Sequence, residues 1–190
     1  MPWKKKLMAT AALMAVIMAG CSPNDKIYMK FLKPQIDKYQ AEIAKLQDFE
    51  AKPYAGPVAT VDFYKSHLGN LQKIEIEVIS GPKAKTEKMK NIREKFLEAL
   101  SNGQTSAGLT GVEYQTVLRN LDKGRYTRKA TRARAVVLAS FDWAQKANNV
   151  RDYFVRAHEG FAEIVVKETR KTITPIGVNK LIPEMRKSIK

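Results

Sequence analysis

Residues 135–164 read AVVLASFDWAQKANNVRDYFVRAHEGFAEI. Within and beside this stretch Val136, Ser140, Trp143, Ala147, Val150, Phe154, Ala157, Phe161 and Ile164 recur at alternating steps of four and three, with Ser140 the one polar member. That spacing gathers side chains on one face of an α-helix. Asn148 and Asn149 would suit a turn, but a turn usually resets the phase of a stripe, and here the phase carries through from Ala147 to Val150. No proline interrupts the chain from Arg125 to Thr172. The pattern therefore predicts a nearly continuous helix of about 47 residues, roughly 70 Å long at 1.5 Å per residue, with the Asn pair or Gly160 as the places to kink.

Outward from this spine the other segments are shorter. Leu32, Ile36, Tyr39, Ile43 and Leu46 form one stripe, and Pro34 is expected near the first turn of its helix, over 35–51, because a proline in a helix interior removes a hydrogen bond. Lys52 to Pro57 turns the chain. Val61, Tyr64, Leu68, Leu71, Ile74 and Val78 mark a second helix over 58–79; residues 73–79 alone alternate like a strand, but the helical phase runs through them. Met89, Ile92, Phe96 and Leu100 mark a third over 83–101, ended by Ser101, Asn102 and Gly103. Residues 104–111 read as a loop, and Tyr114, Val117, Leu118 and Leu121 as a short fourth helix. Beyond Thr174, Pro175 and Gly177, the residues Val178, Leu181, Ile182, Met185 and Ile189 suggest an amphipathic tail helix that either packs back on the bundle or lies on an anionic bilayer. The expected fold is all-α: an elongated bundle with one long C-terminal spine helix and several shorter antiparallel helices.

The start of the chain reads differently. Lys4, Lys5 and Lys6 form a basic head, Leu7 to Met18 an apolar run interrupted by Thr10, and Met18, Ala19 and Gly20 lead into Cys21, the one cysteine. The run to Gly20 is about 14 residues, short of the ~20 that a membrane-spanning helix needs. The order resembles a bacterial lipoprotein signal peptide with its lipobox, although Met18 stands where that family usually has Leu. The resemblance implies cleavage before Cys21, acylation of its sulfur and amine, and membrane attachment by several acyl chains. Ser22 after the cysteine implies the outer membrane under the sorting rule of enteric bacteria, where aspartate would retain the protein in the inner one. The alternative is an ordinary signal peptide followed by a free thiol. The expected organisation is thus a signal peptide over 1–20, a lipidated tether over 21–26 and a single helical domain over 27–190.

Composition narrows the partners. The chain has 34 Lys and Arg against 19 Asp and Glu, and losing Lys4, Lys5 and Lys6 with the signal leaves it strongly cationic. That balance favours anionic surfaces. A lone cysteine in an exported chain forms no internal disulfide, so the core must carry the fold.

Motifs for chemistry are sparse. His67 and His158 each flank a core stripe and read as satisfied or surface histidines; no His or Cys pair has zinc spacing, and no metal or cofactor is expected. Glu75 with Glu77, Glu94 with Glu98 and Glu159 with Glu163 read as solvated helix faces rather than acid–base pairs. No nucleophile elbow, phosphate loop or dinucleotide fingerprint is present. No catalytic residue is expected.

One cluster remains: Arg119, Lys123, Arg125, Arg128, Lys129, Arg132 and Arg134, with Asp122 as its one nearby acid. Arg125, Arg128, Lys129 and Arg132 share a face at helical spacing. Arginine's planar fork suits carboxylate and phosphate, though cations at a helix N-terminus oppose the helix dipole and a plain solvated helix start has the same composition. Arg125, Arg128, Lys129, Arg132 and Arg134 are the candidate residues for an anionic partner, and Cys21 is the candidate lipidation site. The expected partners are the membrane, through Cys21, and a protein or anionic envelope polymer. The expected function is a noncatalytic interaction or structural module facing the periplasm. An exclusion or immunity lipoprotein, or nucleic-acid binding during transfer across the envelope, is the alternative.

Overall fold

The computed structural model describes residues 22–124, 127–169, 172–177 and 179–189. Among them the fold is an all-α bundle of six α-helices: α1 (Pro23–Glu50), α2 (Pro57–Ser80), α3 (Glu87–Ala107), α4 (Tyr114–Lys123), α5 (Lys129–Thr169) and α6 (Leu181–Ser188). A π-helical segment, Gly108–Glu113, joins α3 to α4 without a break. The signal region and Cys21 lie outside the described residues, and no helix among them is long and apolar enough to cross a membrane.

α5 is the spine. Its 41 residues extend roughly 60 Å at 1.5 Å per residue, and helix runs unbroken through Asn148, Asn149 and Gly160. Two apolar clusters are strung along it. Phe154, Phe161 and Val165 belong to the larger one, with the stripes of α1, α2 and α3. Trp143, Ala144 and Ala147 belong to the other, with Tyr114, Leu121 and the tail residues Leu181, Ile182, Met185 and Ile189. The tail helix packs back on the bundle, so its apolar side is not free for a bilayer.

The buried face of α5 departs from the expected stripe in an instructive way. It runs Ser140, Ala144, Ala147, Arg151, Phe154, His158, Phe161 and Val165, with Trp143 and Ala157 at its edge. Val150 and Ile164 are only half-buried, as is Val136. Arg151 and His158 hold the positions between them because each finds polar partners inside the bundle.

Three boundaries also differ. The tether expected over 21–26 is, from Ser22 onward, the cap and first turn of α1: Ser22 Oγ accepts from the Asp25 N–H at 3.2 Å, and Asp25 Oδ1 accepts from the Thr86 hydroxyl at 2.6 Å. Pro34 lies inside α1 rather than near its start. An interior proline costs about 3 kcal/mol, but burying Leu32, Ile36 and Tyr39 around it returns about 1.5–3 kcal/mol each. Finally, the loop expected over 104–111 is helical. Gly103 ends nothing, because it sits at a helix crossing where a Cβ would come within 2.9 Å of Phe154 and 3.0 Å of Leu71. Gly111 plays the same part against Tyr64, whose Cβ occupies the space a side chain would need. The glycines permit close helix approach, and within the π-helical segment the Leu109 carbonyl accepts from Trp143 Nε1 at 3.1 Å.

α1 and α5 run antiparallel, since Tyr39 meets His158 while Glu50 meets Arg151. Lys88 near the start of α3 pairs with Glu168 at 2.6 Å, and Thr86 meets Asp25. The start of α1 therefore lies at the Thr169 end of the spine, and Lys129 lies at the opposite end.

Candidate functional site

Of the residues singled out for an anionic partner, Arg128, Lys129, Arg132 and Arg134 are all exposed, and Arg125 lies outside the described residues. Every residue from Thr127 to Arg134 is exposed, so α5 begins with more than a full turn standing clear of the bundle on all sides. Arg119 and Lys123, near the end of α4, are exposed beside it, as is Asp122. None of these cations forms an ion pair with a described carboxylate; the pairs present lie elsewhere, such as Lys38–Glu77 and Lys146–Asp142. Lys129 and Arg132 fall on the side of α5 that becomes core-facing further along, whereas Arg134 falls on the other side and Arg128 immediately precedes the helix. The described members thus stand at one tip of the molecule and point in different directions. They are placed there by a change of composition along one continuous helix, from core stripe to basic overhang.

Polar groups that the sequence reading passed over lie deep in the bundle. Between the two apolar clusters, Arg151 Nη2 donates to Glu50 Oε2 at 2.6 Å and to the Gly177 carbonyl at 3.1 Å. Glu50 Oε1 accepts from the Tyr64 hydroxyl and from Asn179 Nδ2, both at 2.9 Å. Asn179 Oδ1 in turn caps α6 through the Leu181 N–H at 2.9 Å. Burial pushes the Glu50 carboxyl above its ordinary range, with the Arg151 guanidinium pulling against it. This carboxylate is held by three donors.

His158 is equally committed. Its Nε2 lies 2.7 Å from the Thr174 carbonyl, which can only accept, so Nε2 carries the hydrogen and Nδ1 accepts from the Tyr39 hydroxyl at 2.8 Å. That arrangement uses the neutral ring, and burial lowers the His158 pKa, opposed chiefly by the Thr174 bond. Burial raises the Tyr39 hydroxyl. His67, also buried, meets Glu42 at 3.4 Å, and Glu42 further accepts from Asn70 at 3.1 Å and Lys45 at 2.6 Å. The His67 bond, with those of Lys45 and Asn70, holds the Glu42 carboxyl down at about 2.

Arg151 and His158 share a task with two glutamines of α1. Gln40 donates to the Thr172 carbonyl at 3.4 Å and Gln47 to the Pro175 carbonyl, so polar side chains of α1 and α5 hold successive carbonyls of the chain leading to α6. Tyr54, Tyr114 and Ser188 form a hydroxyl triad at its far end. The result is a C-terminal strap fastened along the spine. Among the described residues no group of three His, Cys, Asp or Glu is placed to hold a metal ion. In comparisons with protein-family models, with curated proteins and with solved structures, nothing matches this chain.

Proposed function

We propose that this chain is a noncatalytic, lipid-anchored module of the bacterial cell envelope that faces the periplasm and docks an anionic protein or envelope polymer through the cationic start of α5. Cys21 carries the lipid, with the outer membrane as its site. The observation that supports docking most is the exposure of Arg128, Lys129 and Arg132 on a helix start with no described carboxylate paired to them. Cations there oppose the helix dipole, and a partner's carboxylates or phosphates would relieve that opposition while pairing with the guanidinium forks. The noncatalytic reading draws on the buried carboxylates and histidines: Glu50 and His158 spend their polar atoms on groups that fasten the strap, and Glu42 spends its own on His67, Asn70 and Lys45.

The arrangement of the ends supports a module that reaches outward. α1 starts two residues after Cys21, so an anchored body sits close to its membrane at the Thr169 end. Its basic tip then lies about one spine length, roughly 60 Å, from the anchor. Binding of labelled polyglutamate by the processed chain tests the docking surface. Affinity should fall as salt rises, and the triple variant R128Q/K129Q/R132Q should lose about tenfold at low salt with a shallower dependence. Equal binding by that variant, or no binding at low salt, rejects the surface.

A further inference from the structure

On the side of α5 turned away from Lys129 and Arg132, the residues Val137, Leu138 and Phe141 are each more than half exposed. They occupy adjacent turns and form one apolar shelf at the tip end of the spine, where the neighbouring core residues Trp143 and Ala147 are fully buried. Arginines bound the shelf at both ends. Arg134 lies three and four residues before Val137 and Leu138, and Arg186 of α6 reaches across from the strap with its guanidinium 3.5 Å from the Phe141 ring centre. Of the acids close to the shelf in sequence, Asp142 is paired with Lys146 at 2.8 Å and Glu184 with Lys187 at 2.7 Å. We propose that this shelf docks an amphipathic helix of an acidic partner protein, its apolar stripe seated on Val137, Leu138 and Phe141 and its flanking carboxylates on Arg134 and Arg186.

The combination fits such an occupant on physical grounds. Apolar side chains and an aromatic ring bounded by arginines concentrate binding energy in protein interfaces, and a helix laid on an apolar strip is read through anchors at helical spacing. A second copy of this chain fits badly, because it would set Arg134 and Arg186 of one copy against those of the other in a protein already strongly cationic. An anionic bilayer fits badly too. Continuing along the same side of α5 by steps of three and four, the exposed residues become Gln145, Asn148, Asp152, Arg156, Glu159 and Glu163, so three carboxylates stand against one arginine. A flat negative surface that reached the shelf along the spine would meet those carboxylates. A partner helix confined to the tip does not. The shelf stands apart from the basic face proposed above, and either surface can fail without the other.

The test uses the processed full chain and a synthetic helical peptide whose leucine stripe is flanked by glutamates. A scrambled peptide of the same composition, a lysine-flanked version and vesicles of phosphatidylcholine with phosphatidylglycerol serve as the other probes. The acidic amphipathic peptide should bind about tenfold tighter than the scrambled one. V137S/L138S should remove that margin with unchanged melting, because both side chains are solvent-facing. R134E should move the preference toward the lysine-flanked peptide. Equal binding of scrambled and ordered peptides, or of the V137S/L138S variant and the parent, overturns the shelf. So does a shelf-dependent affinity for the anionic vesicles that the peptide does not share, which would make a bilayer the occupant.

Discussion

Replacing Arg151 with methionine keeps the length and apolar stem of the side chain but removes the charge that faces Glu50. The side chains of both partners are only 5% exposed, so the carboxylate left behind cannot recover water. Breaking a buried pair by removing one member typically costs about 3–5 kcal/mol. Here Glu50 keeps two donors, Tyr64 and Asn179 at 2.9 Å, which places the expected loss at the lower end, about 3 kcal/mol. The Gly177 carbonyl also loses its donor, adding about 1 kcal/mol. Because burial already raises the Glu50 carboxyl, and removal of Arg151 raises it further, the orphaned group takes up a proton more readily in the folded state than in the unfolded one. The deficit should therefore shrink as pH is lowered from neutrality toward 5. Urea denaturation at two pH values, with the double variant E50Q/R151M, reads this directly: R151M loses about 3–4 kcal/mol at neutral pH, and E50Q/R151M regains much of it. A loss under 1 kcal/mol, or one equal at both pH values, would refute the description of a dry, paired carboxylate at the junction of the two clusters.

Other perturbations separate packing from charge. G103A should cost about 1–3 kcal/mol by overpacking, because Phe154 and Leu71 stand at 2.9 and 3.0 Å from the added Cβ, whereas G160A, with open space around it, should be neutral or stabilising; thermal melts compare the two. The lowered His158 pKa favours the neutral ring in the folded state, so its contribution is whole above 6.5 and is lost as pH falls below that value. The urea midpoint of the parent should fall across that window and that of H158Q should be flatter. Glu42 acts further down: with its carboxyl at about 2 against 4.5 unperturbed, its contribution is present above 4.5 and disappears as pH drops toward 2. E42Q should reduce the acid-unfolding slope in that range.

The stripes of α1, α2 and α3 were legible in the sequence because their buried positions are apolar and repeat at helical steps. Leu32, Ile36, Tyr39, Ile43 and Leu46 are all core. The spine was legible in extent and only partly in face. Hydrophobic periodicity cannot distinguish a polar residue with a buried partner from one in water, so it selects Val150 and Ala157 over Arg151 and His158, whose partners include Glu50 and Tyr39, far away in sequence. A continuous step pattern of 144, 147, 151, 154, 158, 161 and 165 was the available signal. Ser101, Asn102 and Gly103 looked like a stop for a related reason: a glycine that lets helices touch is written the same way as one that ends a helix. At the tip, the sequence disclosed the cations but not that Thr127 to Arg134 clear the bundle. Nor did it reveal that Val137, Leu138 and Phe141 stay uncovered, since that depends on where α6 comes to rest.

The proposed role depends first on acylation at Cys21. Cells expressing the parent chain or C21S, fed labelled palmitate and then fractionated, provide the most direct measurement. The account predicts label in the parent and its recovery with membranes in a processed form, together with loss of label and of processing in C21S. An unlabelled parent, or a C21S chain processed and retained on membranes like the parent, contradicts it.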